Sequence, residues 1–154
     1  MNVQRWFYRG GRPNRAARLL DRLTARVYAL GVSPDHLVAL EVRGRRSGRI
    51  IRFPLVMAVV GGERYLVSML GQNANWVRNV KAAGGHVVLR HGRREEVRLE
   101  ELEVDRRAPV LQAYLKRAPN ARAHVPVPVD APLATFERVA ARIPVFRVVS
   151  GSEA

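Results

Sequence analysis

A chain of 154 residues, 47% of them hydrophobic, is long enough to bury a core and too apolar to be disordered. It has no cysteine, which excludes a disulfide framework and any cysteine-ligated metal site. The net charge of +14, from 27 basic and 13 acidic residues, favours anionic partners: nucleic acid, anionic lipid or a polyanionic cofactor.

No apolar run is long enough for a membrane span, and no signal-peptide core stands near the start. The default is an intracellular, cytoplasmic protein. Residues 1–154 read as one domain, with 1–34 a basic amphipathic helical segment. From Asn14, a plausible cap, the apolar stripe runs Ala16, Leu19, Leu20, Leu23, Val27 and Leu30. Gly31 and Pro34 stop it. Such a helix packs its apolar face on its own domain or rests on an anionic membrane surface, and residues 1–30 are the candidates for that contact.

Leu37 to Arg43 alternates as a half-buried strand. A basic turn follows, with Arg43, Arg45, Arg46, Arg49 and Arg52 around Gly44, Ser47 and Gly48. Glycine lets a chain turn sharply and point several N–H groups one way, and guanidinium forks beside them suit phosphate or carboxylate oxygens. The residue types alone leave two readings open, an anion-binding turn and an ordinary solvated hairpin tip.

Arg49 to Val60 is a long strand, and Pro54 inside it predicts a bulge or an edge position. Gly61-Gly62 is a tight turn into a third strand, Tyr65 to Leu70. A polar loop from Gly71 to Asn75 opens a short helix whose Trp76, Val77 and Val80 share a face. His86 to Arg90 and Arg94 to Val104 form a hairpin, and the slip from Val97, Leu99 to Leu102, Val104 predicts a bulge at Glu100-Glu101. Asp105 can cap a helix carrying Leu111, Tyr114 and Leu115, with Pro109 in its first turn. The Pro-rich stretch from Ala118 to Pro132 reads as a lid or binding loop. Leu133, Phe136, Val139 and Ala140 make a further helix face, and Ile143 to Val149 the last strand. The sum is mainly β with helices (α+β): about six mostly antiparallel strands, for which a closed or nearly closed barrel removes the edges.

Catalytic machinery is sparse. His36, His86, His91 and His124 lack metal-ligand spacing, and no nucleophile elbow or dinucleotide fingerprint is present. Glu95, Glu96, Glu100, Glu101 and Glu103 read as a solvated face paired with arginines. A polyanion turn, an aromatic at Trp76 and a loop able to close suit a protein that leaves the chemistry to a bound cofactor.

Gly44-Arg45-Arg46-Ser47-Gly48, followed by a strand with Pro54-Leu55, resembles the hallmark turn of the deazaflavin-dependent nitroreductase family. The likeness continues through Asn75-Trp76-Val77-Arg78-Asn79-Val80-Lys81 and on to Ile143-Pro144-Val145-Phe146. It implies a split β-barrel of the FMN-binding-like superfamily and coenzyme F-420, an 8-hydroxy-5-deazaflavin with an anionic phosphate-bearing tail, rather than FMN. Carried over residue by residue, the resemblance puts the phosphate on Gly44, Arg45, Arg46, Ser47 and Gly48, with Arg52 nearby. It puts Pro54 beside the deazaflavin ring and Ser68, Met69, Leu70 and Gly71 along the loop bordering it, and has Asn75 and Trp76 open the helix that closes the pocket. The implied reaction is hydride transfer from reduced deazaflavin to a small electron-poor acceptor: a quinone, nitroaromatic or enone. The alternative is a non-enzymatic carrier of the same fold for fatty acid, haem or flavin. Arg122, His124 and Pro126 stand where some members carry substrate-facing tyrosines. No basic-aromatic stacking motif accompanies the charge, so nucleic acid is not the expected partner. No motif speaks to the oligomeric state.

Overall fold

The computed structural model describes residues 8–9, 12–13, 22–25, 37–118, 127–128 and 130–151. Two short strands, β1 (Tyr8–Arg9) and β2 (Arg12–Pro13), pair antiparallel with each other. Six longer strands follow: β3 (Leu37–Arg43), β4 (Ile50–Val60), β5 (Glu63–Val67), β6 (His86–Arg90), β7 (Arg94–Glu101) and β8 (Val145–Ser150). They close a barrel in the order β3-β4-β5-β8-β7-β6, and every neighbouring pair is antiparallel. Among the described residues, 22–25 are helical, and the further α-helices are α1 (Asn75–Ala82), α2 (Ala108–Arg117) and α3 (Leu133–Val139).

Alternation along the strands builds two cores. Val38, Leu40, Leu55, Leu66, Leu89, Leu99 and Phe146 join alternate residues of all six strands in the barrel interior. From α1, Trp76, Val77 and Val80 complete that core, as their shared face predicts. The second core lies outside the sheet, where Ala58, Tyr65, Val67 and Val145 meet Leu111, Tyr114 and Leu115 of α2 and Phe136 of α3.

β4 explains the position of Pro54. Residues 50–56 pair with β3, and pairing with β5 begins only at Met57. Pro54 therefore sits where β4 has one partner, and its missing N–H costs no ladder bond. The edge alternative holds, and no bulge is needed.

Three expectations are corrected. β7 ends at Glu101, and its register with β8 runs unbroken from Val97↔Ser150 to Glu101↔Phe146, so the predicted bulge is absent. The slip in the pattern marks the strand's exit instead: Leu102 leaves the barrel for the outer core, and Val104 begins a 3-10 turn. Asp105 lies within that turn, so it is no cap for α2, whose N-cap residue is Arg107. Pro109 does occupy the first turn of α2. The third strand stops at Val67, because Ser68 turns to close the loop before α1. Most of the N-terminal stripe and the stretch 119–126, with Arg122, His124 and Pro126, lie outside the described residues. Within residues 22–25, Ala25 is fully buried while Leu23 is half-exposed, so the small residue off the predicted stripe makes the close contact there.

Arg107 ties the outer core together. It is 4% exposed and donates to the carbonyls of Leu102 (2.9 Å), Ala140 (3.0 Å) and Ile143 (3.4 Å), and to the Glu101 carboxylate at 3.3 Å. One guanidinium thus bonds carbonyls from two segments, at residue 102 and residues 140–143, that leave regular structure at the same place.

The glutamates of β7 pair with arginines, as the pattern predicts. Arg64 makes a two-pronged pair with Glu95 at 2.8 Å, and Glu100 accepts from Arg98 and Arg147. The Arg64 hydrogen bonds hold Glu95 below its ordinary value of 4.5, and Arg147 and Arg98 do the same for Glu100. A depressed carboxylate stabilises the fold above its unfolded pKa and loses that contribution as pH falls through the folded one. Urea midpoints are therefore expected to stay level from neutral pH down to about 5 and to fall below about 4.5. Glu95→Gln should flatten that fall by a few tenths of a kcal/mol, as for an exposed pair; an unchanged acid slope would refute the assignment.

Candidate functional site

The turn between β3 and β4 is tightly specified. The Gly44 N–H donates to Arg49 O at 2.7 Å, the Gly48 N–H to Gly44 O at 2.9 Å, and the Arg49 N–H to Ser47 Oγ at 3.2 Å. A Cβ on Gly44 would lie 2.7 Å from Ser47 Oγ and 2.8 Å from Ile51 Cδ1, so a side chain there would have to push both aside. Gly48 has a φ of 71°, the left-handed region. The Arg45 N–H donates to Asn79 Oδ1 at 3.1 Å. The N–H groups of Arg46 and Ser47 pair with no acceptor among the described residues. Arg46, Ser47, Gly48 and Arg49 are exposed. Two adjacent amides, a hydroxyl and two guanidinium groups therefore face solvent on one short turn, a donor set suited to an oxyanion.

Sequence reasoning named Asn79 only as part of the stretch that resembles the family and gave it no role in the site. It sits on α1, 3% exposed, and its Oδ1 accepts both the Arg45 N–H and the Arg45 guanidinium, at 3.1 and 2.8 Å. The signal was available: a polar residue three positions after Trp76 shares its helix face.

The outward face of β3, β4 and β6 carries a second polar cluster. Ala39 is register partner to both Pro54 and Arg90, so the three form one row across the strands. In the next row Glu41 lies opposite Arg52. Glu41 is only 8% exposed; Arg52 Nε donates to it, and a terminal nitrogen of Arg90 lies 3.6 Å away. The Nε of Arg90 is buried and has no hydrogen-bond partner among the described residues. A buried donor without an acceptor is costly, and it marks a place where an acceptor would be favoured.

The remaining candidates divide. Ser68 is 1% exposed; its N–H donates to Pro144 O at 2.9 Å and its hydroxyl to Gly71 O at 2.7 Å. That closes the loop just before α1. Met69 packs on the outer core and Leu70 on the interior one. Asn75 opens α1 and is half-buried. Trp76 is 5% exposed between Phe53 (centroids 6.3 Å apart, stacked) and Phe146 (5.7 Å, tilted), so its ring fills the barrel interior. Helix α1 thus joins the turn, through Asn79, to the loop at residues 68–71. Pro54 and Arg52 stand apart, on the outer face of the strands the turn connects. Of the described histidines, His91 Nδ1 lies 2.8 Å from Leu37 O and His86 is exposed; His36 and His124 lie outside the described residues. Among the described residues no group of His, Asp and Glu could hold a metal ion, and no helix is long and apolar enough to cross a membrane.

Comparison with known proteins bears on this arrangement. The model of the family described as F420H(2)-dependent quinone reductase matches residues 18–132. No curated protein matches. Among solved structures, one titled an F420-H2 dependent reductase (FDR-A) is 23% identical, with 74% of this chain and 94% of that one covered and a TM-score of 0.50. A protein of unknown function from Agrobacterium tumefaciens is 13% identical over 84% of this chain and 54% of its own, at a TM-score of 0.56. A haem-binding protein from Mycobacterium smegmatis is 14% identical over 82% and 50%, at 0.50. At these identities the structural likenesses speak to the fold, a split barrel.

Proposed function

This chain belongs to the F420H(2)-dependent quinone reductase family, and on that premise we propose that it reduces a quinone with reduced coenzyme F-420, holding the coenzyme's phosphate on the β3–β4 turn. It is an F-420-dependent oxidoreductase, and its cofactor is coenzyme F-420. The observation that carries the site is the pair of outward N–H groups at Arg46 and Ser47, flanked by exposed guanidinium groups.

The residues present fit that coenzyme in two ways. The turn offers donors and positive charge to a phosphate. The orphaned Nε of Arg90, in the row of Ala39 and Pro54, offers a donor to an acceptor oxygen of a flat heterocycle. Pro54, half-buried in that row, gives the ring a rigid edge beside it, while Ala39 is itself buried. The reduced deazaflavin, when bound, supplies a hydride; one solvent proton completes the conversion of quinone to hydroquinone. The contribution of the chain is position. The turn fixes the tail, Glu41 holds Arg52 and Arg90 in place, and the loop at residues 68–71 and α1 brace the barrel end. Arg52 serves in this reading as the partner of Glu41. Nitroaromatics and enones are further acceptors of the same electron-poor class.

The test is direct. Purified protein with reduced coenzyme and menadione is expected to restore the absorbance band of the oxidised deazaflavin at a rate proportional to enzyme. A nitroaromatic and an enone are assayed alongside. Coenzyme binding without oxidation by any acceptor would leave the ligand-carrier alternative standing in place of the reductase.

A further inference from the structure

We propose that Asn79 is the positioning residue that makes this site select the phosphate-bearing coenzyme over the same deazaflavin without its tail; the inference rests on the reading above. Only the carbonyl oxygen of an asparagine can face two N–H donors, so the contact fixes the orientation of the Asn79 amide. Both donors come from Arg45, one from its backbone and one from its guanidinium. The contact spans 34 positions of sequence and is partly buried, while Asn79 itself is 3% exposed.

The consequence is a division of labour within the turn. Arg45 is drawn toward α1 and acts as a strut. With Arg45 held, the next two amides, of Arg46 and Ser47, are left outward and side by side. The internal bonds of Gly44, Gly48 and Arg49 close the turn but do not fix its tilt on the barrel. Among the described residues, Asn79 tethers this turn to α1. It also gives the phosphate turn and the Trp76 face of α1 a common rigid mount. A buried amide carbonyl satisfied only by the turn favours the turn's bound shape before any ligand arrives, which is pre-organisation.

Two variants separate this role from mere packing. Asn79→Leu keeps the approximate volume and cannot accept a hydrogen bond. Asn79→Asp offers oxygens at the same reach and pairs with Arg45. Fluorescence titrations with coenzyme F-420 and with its tail-less deazaflavin give the preference for the tail as a ratio of dissociation constants. The wild-type ratio is expected to fall about tenfold or more in Asn79→Leu, with tail-less binding unchanged, and to stay within about threefold in Asn79→Asp. A ratio preserved in Asn79→Leu, or a parallel loss of both ligands, would overturn the proposal. A second measurement needs no coenzyme. In amide-resolved NMR spectra, inorganic phosphate should shift the Arg46 and Ser47 N–H signals of wild type and of Asn79→Asp, and leave them unmoved in Asn79→Leu. Phosphate shifts of that pattern without coenzyme binding would sustain the role of Asn79 and defeat the coenzyme reading. Coenzyme binding with a ratio indifferent to Asn79 would do the reverse.

Discussion

Replacing Arg107 by leucine is expected to remove about 3–5 kcal/mol of stability. The guanidinium is buried and donates to three carbonyls, of Leu102, Ala140 and Ile143. Leucine fills part of the volume and satisfies none of them. Ala140 O keeps the Ile143 N–H at 3.2 Å, so the carbonyls of Leu102 and Ile143 are the acceptors left unpaired, at roughly 1–3 kcal/mol each. The Glu101 contact adds little, because that carboxylate is exposed and also pairs with Lys81 at 3.3 Å. In a domain of this size the loss corresponds to a drop in Tm of roughly 10 °C. Urea unfolding measures it, and Arg107→Lys should fall between the two, since one ammonium cannot span all three carbonyls. A loss under about 1 kcal/mol would mean that the carbonyls find other partners and that the outer core does not hang on this residue.

Removing Arg46 and Arg49 together is expected to weaken coenzyme F-420 binding about a hundredfold and to leave stability nearly untouched. Both side chains are exposed, and neither makes an ion pair among the described residues. Surface substitutions of that kind stay within about 0.5 kcal/mol of the parent. A charge-assisted contact to phosphate contributes about 1.5–3 kcal/mol, discounted here because the turn is open to solvent. About 1.4 kcal/mol per arginine gives tenfold each. The same titrations at rising salt should show a steep loss for wild type and a shallow one for the double variant. Equal affinities for the two proteins, or an unaltered salt slope, would place the phosphate elsewhere. Arg45→Ala should also weaken binding, but through the strut to Asn79, and with a smaller change in salt slope.

The barrel was legible because alternation is a local signal. Leu37–Arg43 and His86–Arg90 read from their pattern with the bounds the structure has. The face of Trp76, Val77 and Val80 declared α1 in the same way. The turn was legible as a set of glycines and arginines, though which donors remain outward was not. That depends on Asn79, 34 positions away, and no periodicity links the two. Glu41 escaped for a related reason. Its place in an alternating strand reads as solvent-facing, yet the outer face of β3 is buried too, and the acid is acceptable there only between Arg52 and Arg90. Arg107 was one arginine among many until the fold drew the carbonyls of Leu102, Ala140 and Ile143 around it. The apparent register slip after Leu99 misled because hydrophobic spacing cannot tell a bulge from a chain that leaves one core for another.

A crystal structure of the protein with reduced coenzyme F-420 tests the account at its centre. The phosphate is expected within hydrogen-bond distance of the Arg46 and Ser47 amides, with the deazaflavin ring against Pro54 and an acceptor oxygen meeting Arg90 Nε. A coenzyme bound with its phosphate away from that turn, or a ring seated on another face of the barrel, would contradict it.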